Sequence, residues 1–167
     1  MRVTPRQSCS TLKRFEAMKT YVLTLSDSFP ANHAMHGKPT YFREKFYGTP
    51  GMLRKLHTIR ANYTLWAKRF KEIAAGDACL SVREWLDAPY RSKQREIARL
   101  TADDGVGIQK LTFFAGRIIY PTVGQYQPSV KEIANNDGLG ATEWVDWFKN
   151  YDLSKPLAII HFTKFRY

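Results

Sequence analysis

Residues 55–85 read KLHTIRANYTLWAKRFKEIAAGDACLSVREW and change periodicity twice. The first six of them are rich enough in β-branched residues to predict a short strand. Apolar residues then recur at helical spacing from Tyr63 to Ala75, which predicts an amphipathic helix. Gly76 is a typical helix stop, and Gly76-Asp77 turns the chain into a second strand, Ala78 to Trp85. This stretch therefore predicts a strand, a helix and a strand in succession.

Before this stretch, the run from Tyr21 to Leu25 predicts a strand, and residues 26–53 are broken by prolines and glycines into loop. A short helical or extended piece is expected over Tyr41–Phe46. Residues 1–17 are polar and basic without a sustained period, so we expect a flexible N-terminal arm. Met18 is an alternative translation start, in which case the arm would be absent from the cell.

After the stretch, two strand-like runs, 94–100 and 106–114, flank Ala102-Asp103-Asp104-Gly105. Asp-Gly accepts the positive φ of a tight turn, so the two runs predict a β-hairpin. The remaining chain predicts, in order, a loop over 121–129, a short helix over 130–134, a helix around 142–150 and a last strand over 157–165.

The predicted elements amount to five or six short strands and two or three helices without regular βαβ alternation. Such an order is typical of an α+β protein, and we expect one small, partly closed β-barrel with flanking helices. The chain of 167 residues is the size of one domain, here 18–167, with the arm outside it.

The net charge of +11 is concentrated in one part of the chain. The first hundred residues carry nineteen Lys and Arg against eight Asp and Glu, and the remainder is balanced. A strongly basic segment favours a polyanionic partner, of which nucleic acid is the commonest. The alternative is a solvated basic face that only keeps the protein in solution.

Two cysteines, Cys9 and Cys79, are too few for a disulfide framework or a four-cysteine zinc site. We therefore expect a reducing, cytoplasmic location. No apolar run approaches the roughly 20 residues of a membrane span, and no membrane partner is expected. His33 and His36 lack a third metal ligand nearby, so neither a metal nor a cofactor is expected.

The densest polar cluster lies on the first predicted strand. Thr58 and Arg60 share one face of it, and Lys55 lies at its start. Partial desolvation lowers the pKa of a lysine. Such a lysine can accept the proton of a threonine hydroxyl, which makes that hydroxyl a nucleophile. Arg60 can bind a phosphate or the edge of a base. The alternative is an ordinary basic strand with a buried threonine.

A second candidate surface combines aromatic and basic side chains, the types that stack on bases and bind phosphates. Its aromatic members are Tyr63, Trp66, Trp85 and Tyr90, although the two tryptophans each suit the core as well. Its cations include Arg83, Arg91 and Lys93, which we expect near a nucleic-acid cleft.

These residues resemble the fingerprint of ASCH-domain proteins, which share the PUA-like barrel fold. The matching parts are Lys55-x-x-Thr58-x-Arg60, the Gly76-Asp77 turn with the strand 78–83, the hairpin at 94–114, the acidic loop 134–139 and the strand 159–162. The resemblance covers residues 18–167, loosely before residue 53.

The resemblance implies association with RNA and a cleft suited to a nucleotide. One branch of the family is similar to amidohydrolases that remove the acetyl group of N(4)-acetylcytidine, with the motif lysine and threonine and a loop glutamate as catalytic residues. Lys55 and Thr58 match that pattern, and the acidic position falls on Asp137, a side chain one methylene shorter.

Two functions therefore remain open. The first is an RNA- or nucleotide-binding domain, with Lys55, Thr58, Arg60, Arg83, Arg91 and Lys93 as contacts; the basic first hundred residues favour it. The alternative is an amidohydrolase in which Thr58 attacks, Lys55 activates it and Asp137 relays the proton. An RNA-cleaving activity has less support, since no histidine pair or metal cluster is evident. The oligomeric state stays open.

Overall fold

A computed structural model describes residues 18–167, so the predicted arm at 1–17 lies outside the described residues. This range contains seven strands and four helices. In chain order they are β1 (Lys19–Leu25), α1 (Phe42–Tyr47), β2 (His57–Arg60), α2 (Tyr63–Ala74), β3 (Ala78–Trp85), β4 (Gln94–Leu100), β5 (Gly107–Phe113), β6 (Pro121–Val123), α3 (Val130–Asn136), α4 (Ala141–Phe148) and β7 (Leu157–His161).

The strands form two sheets, which confirms the α+β class. In the three-stranded sheet, β3 lies between β1, to which it is parallel, and β4, to which it is antiparallel. The four-stranded sheet is antiparallel, in the order β2-β7-β5-β6. No strand pairing between residues 18 and 167 joins the two sheets, so a closed barrel is not formed by these pairings.

The predicted hairpin of 94–100 with 106–114 is wrong. β4 pairs with β3, whereas β5 pairs with β7 and β6 in the other sheet. Between them, Ala102–Asp104 forms a 3-10 turn in which the Thr101 N–H donates to Asp104 Oδ2 at 2.8 Å, and Gly105 has φ +82°. The Asp-Gly pair thus marks a turn, as expected, but a turn signal does not say which strand the next segment joins.

The segment 121–129, predicted as loop, contains the three-residue strand β6. Pro121 led to the loop prediction, because proline lacks the N–H that a strand interior needs and is tolerated only at a strand start or an edge. β6 meets both conditions, since Pro121 is its first residue and β6 is the outer strand of its sheet. The other elements lie where expected, with ends that differ by up to four residues.

The hydrophobic core is formed where helices pack on the sheets. The helices contribute the apolar faces that the spacing of apolar residues in the sequence predicts. Helix α2 buries Trp66, Phe70 and Ile73, and α4 buries Trp144 and Phe148. The side chain of Asn62 caps the start of α2, where it accepts a hydrogen bond from the Leu65 N–H at 3.2 Å. Among the helices of residues 18–167, none has the length and apolar character needed to cross a membrane.

Candidate active site

A buried ion pair joins the start of β2 to the end of α3. Lys55 Nζ donates to Asp137 Oδ1 at 2.7 Å and to the backbone oxygen of the same residue, also at 2.7 Å. Lys55 is 2% exposed and Asp137 is 3% exposed. An ionic group is rarely buried so completely unless it is paired, and here each of the two supplies the partner of the other.

The turn after α3 is held so that the carboxylate faces Lys55. Gly138 has φ +81°, and a Cβ placed there would lie 3.3 Å from the Cβ of Lys55, so any larger residue is disfavoured for two reasons. Lys45 Nζ donates to the Gly138 carbonyl at 2.7 Å, and the Leu56 N–H donates to the Asn136 carbonyl at 2.8 Å. These bonds fasten the turn to both α1 and the segment before β2.

Thr58 and Arg60 complete the cluster from strand β2. Arg60 Nη1 donates to Thr58 Oγ1 at 2.9 Å, and Arg60 Nη2 donates to the Thr24 carbonyl at 2.7 Å. The guanidinium thus links the threonine to strand β1 of the other sheet. A cation that donates to a hydroxyl oxygen stabilises the deprotonated form of that hydroxyl, so Arg60 lowers the cost of ionising the buried Thr58.

The side chains of Lys55, Thr58, Arg60 and Asp137 all line one cavity of about 20 Å³. Its other walls are Ser26, Phe42, Ile59, Leu139, Trp147 and Phe148. The ring of Phe42 lies over Lys55, with 3.9 Å from Nζ to the ring centroid, and Trp147 packs against Phe42 with 5.8 Å between centroids. This volume holds about one water molecule, so a whole nucleobase does not fit inside.

Burial sets the protonation behaviour of the pair. Burial lowers the pKa of Lys55 to about 8, and the facing Asp137 opposes that shift. Burial also raises the pKa of Asp137, against the opposing charges of Lys55 and Arg60. A lysine with a pKa of about 8 has an appreciable neutral fraction near neutral pH, so it can act as a base.

Sequence reasoning missed the polar groups behind the pair. His57 faces away from Thr58, and burial holds its pKa well below the usual range. Its Nε2 lies 2.7 Å from the hydroxyl oxygen of Tyr167, and Asn136 Nδ2 donates to that oxygen at 3.1 Å. The alternation of side chains along β2 indicates that His57 faces the side opposite Thr58. Nothing in the sequence pattern links His57 to Tyr167.

The remaining predicted binding residues lie apart from the cavity lining. Arg83, on β3, donates from Nε to Ser81 Oγ at 2.8 Å. Arg91 and Lys93 are exposed in the loop between β3 and β4. Of the expected contacts, the structure therefore brings together Lys55, Thr58 and Arg60 with Asp137, and it places Arg83, Arg91 and Lys93 elsewhere.

The aromatic residues of the second candidate surface are also divided. Trp66 is buried in the core. Trp85 is half-buried and packs against the exposed Tyr90, with 5.4 Å between ring centroids. Tyr63 is half-buried at the start of α2, and Lys110 Nζ lies 5.0 Å from its ring centroid. Tyr63, Trp85 and Tyr90 therefore keep surface that a partner could contact, and Trp66 does not.

Comparison of the chain with protein-family models, curated proteins and solved structures finds no match.

Proposed function

We propose that the cavity of Lys55, Thr58, Arg60 and Asp137 hydrolyses the exocyclic amide of an acylated cytosine nucleoside or nucleotide. One observation carries the proposal: a lysine and a carboxylate 82 residues apart in sequence meet inside the same cavity as a threonine hydroxyl. Titratable groups with shifted pKa values that converge in a cavity are typical of active sites.

The chemistry follows from the groups present. Neutral Lys55 accepts the Thr58 hydroxyl proton as Oγ1 attacks the amide carbonyl. Lys55 passes a proton to Asp137, and Asp137 delivers it to the exocyclic nitrogen as the C–N bond breaks. Cytosine leaves with its amino group, and the acyl group stays as an ester on Thr58. Water then cleaves the ester, which yields a carboxylic acid and restores the hydroxyl.

The size of the cavity limits how the substrate binds. About 20 Å³ admits one water-sized group, such as the carbonyl oxygen of the amide, but neither the whole acylamide nor a pyrimidine ring. In the proposed complex, the amide carbonyl points inward to Thr58, and the ring stays outside the cavity on the side of the half-buried Trp147. The indole of Trp147 would then stack on the base.

The choice of an acylated cytosine rests on the resemblance to ASCH-domain proteins. We propose for the same reason that the α+β fold is a variant of the PUA-like barrel. Asp137 stands where that resemblance expects a glutamate, and its shorter side chain nevertheless reaches Lys55 at 2.7 Å. The contact between Lys55 and the carboxylate, which the proposed proton relay needs first, is therefore made even though aspartate is one methylene shorter than glutamate.

RNA or nucleotide binding without chemistry is the second candidate, and the net charge of +11 favours it. Arg60 would then contact the nucleotide from the cavity, and the exposed Arg91 and Lys93 would contact phosphates farther along the chain. It is ranked second because a binding pocket has no need of a buried lysine–carboxylate pair beside a threonine.

The test is incubation of the purified protein with N(4)-acetylcytidine, with cytidine and acetate followed by chromatography. We expect turnover by the wild-type protein and by Thr58→Ser, and none by Thr58→Val, which keeps the shape but lacks the hydroxyl. Thr112→Val is the matched control, since Thr112 is exposed on β5. No turnover by folded wild-type protein would contradict the proposal, and RNA titrations at two salt concentrations would then test the second candidate.

A further inference from the structure

A row of buried polar groups runs from the candidate active site to Tyr167. His57 Nδ1 lies 4.0 Å from Asp137 Oδ1, and His57 Nε2 lies 2.7 Å from the Tyr167 hydroxyl. The His57 side chain is wholly buried. The backbone of Tyr167 is held by Gln109, whose Oε1 accepts from the Tyr167 N–H at 3.0 Å. The ring of His57 therefore lies between the Asp137 carboxylate and the Tyr167 phenol.

The hydrogen bonds of this row favour one nitrogen of His57 as the site of the proton. Asn136 Nδ2 can only donate, so the Tyr167 oxygen accepts from it at 3.1 Å. The phenol hydrogen is then available for His57 Nε2, which leaves the single imidazole proton on Nδ1. The opposite tautomer would point the Nδ1 lone pair at the Asp137 carboxylate, which is repulsive at a buried site.

We propose that His57, fixed in the Nδ1-protonated form by Tyr167, is the positioning residue that holds Asp137 during the reaction. This inference rests on the proposed hydrolytic function. In the structure, Asp137 Oδ1 is bound by Lys55, and His57 Nδ1 has no hydrogen-bond partner among the described residues. Once Lys55 is neutral, the carboxylate loses its charged partner, and a shift of about 1 Å from the present 4.0 Å also brings it a hydrogen bond from the His57 N–H.

Strand β2 provides both sides of this arrangement through its alternation. Thr58 faces the cavity, while His57, next to it in sequence, faces the opposite side, where Tyr167 and His161 lie. The strand therefore carries the nucleophile on one face and the support for the proton relay on the other. His57 does not touch the reacting atoms in this arrangement and acts only through Asp137.

The first experiment is nitrogen-15 NMR of the full chain, which reads the tautomer of His57 without any substrate. We expect the Nδ1-protonated form in the wild-type protein. Tyr167→Phe removes the donor to Nε2, so we expect the population to move towards the Nε2-protonated form and the Asp137 carboxyl carbon-13 resonance to move with it. Tyr126→Phe is the control, because Tyr126 stacks on Tyr167 but its hydroxyl bonds Glu132.

The second experiment compares two substitutions that place an amide donor at different ends of the ring. The side-chain nitrogen of His57→Asn lies near the position of Nδ1, and that of His57→Gln lies near the position of Nε2. We expect kcat to fall about tenfold in Tyr167→Phe and His57→Gln with KM unchanged, and His57→Asn to retain most of the wild-type kcat.

Either of two NMR results overturns the inference: His57 protonated at Nε2 in the wild-type protein, or an Asp137 carboxyl resonance that does not shift in Tyr167→Phe. Equal losses of kcat in His57→Asn and His57→Gln would also overturn it. Failure of the proposed function is a separate result, namely no hydrolysis by the wild-type protein. The NMR measurements decide the placement of the His57 proton in either case, because they need no turnover.

Discussion

Lys55 Nζ lies 2.7 Å from Asp137 Oδ1, although 82 residues separate the two in sequence. Both side chains are buried, and the contact ties the start of β2 to the end of α3. Fully buried ion pairs seldom add much stability relative to apolar residues of the same size, because both charges must be desolvated. The proposed proton relay would account for a pair that stability alone does not favour.

Breaking the pair on one side should destabilise the fold strongly. Lys55→Met leaves the Asp137 carboxylate buried without its cation, and we expect the free energy of unfolding to fall by about 3–5 kcal/mol. The double variant Lys55→Met with Asp137→Leu removes both charges and should lie closer to the wild-type protein. Urea denaturation measures both. A double variant as unstable as the single one would contradict this account of the pair.

Hydrolysis should depend on the protonation of Lys55. Its pKa of about 8 means that the neutral, reactive form is the minor one at lower pH. We therefore expect kcat/KM to rise about tenfold per pH unit below pH 8 and to level off above it. A pH–rate profile with N(4)-acetylcytidine checks this. A profile that is flat between pH 6 and pH 9 would show that Lys55 is not the base.

Acid should destabilise the protein through His161. Burial lowers the pKa of His161 to about 3, and neither ring nitrogen has a hydrogen-bond partner within the described part of the chain. The unfolded chain binds a proton near pH 6.5, where the folded protein does not, so stability is lost as the pH falls from about 6.5 towards 3.

The loss from one such group is at most about 1.4 kcal/mol per pH unit. His161→Leu should remove that part of the slope, as seen in urea denaturation at several pH values. The comparison uses slopes, because the substitution also changes packing. Equal slopes for variant and wild-type protein would show that His161 does not contribute.

Gly138 should be far less tolerant of alanine than a glycine with the same backbone angle. Gly138 and Gly76 both have φ +81°, but a Cβ at Gly138 would lie 3.3 Å from Lys55, and at Gly76 it would meet no atom within 4 Å. Both variants carry the backbone strain of about 1 kcal/mol or more.

Only Gly138→Ala should also displace the turn that carries Asp137. We therefore expect an additional loss of stability of about 1 kcal/mol and a fall of about tenfold in kcat for this variant alone. Thermal unfolding and the hydrolysis assay measure the two effects. Comparable activity in the Gly138→Ala and Gly76→Ala variants would argue against a tight fit at Gly138.

Local patterns in the sequence were sufficient for most individual elements. Apolar spacing predicts α2 and the helix α4, and the order of the elements predicts the α+β class, because each depends on side chains within a few residues of one another. The same locality explains the errors. The turn at Ala102–Gly105 is readable from Asp-Gly, but the partners of β4 and β5 depend on strands far away in the chain.

For the candidate site, the sequence by itself determined that Thr58 and Arg60 share one face of a strand, because side chains alternate along an extended chain. Only the tertiary structure decided that Asp137 meets Lys55 and that Arg83, Arg91 and Lys93 lie outside the cavity. It also decided that the buried His57 contacts the half-buried Tyr167 behind the cavity. Those relationships join residues distant in sequence, and they arise when the packing of the sheets and helices excludes water and leaves each buried polar group to find a partner in another element.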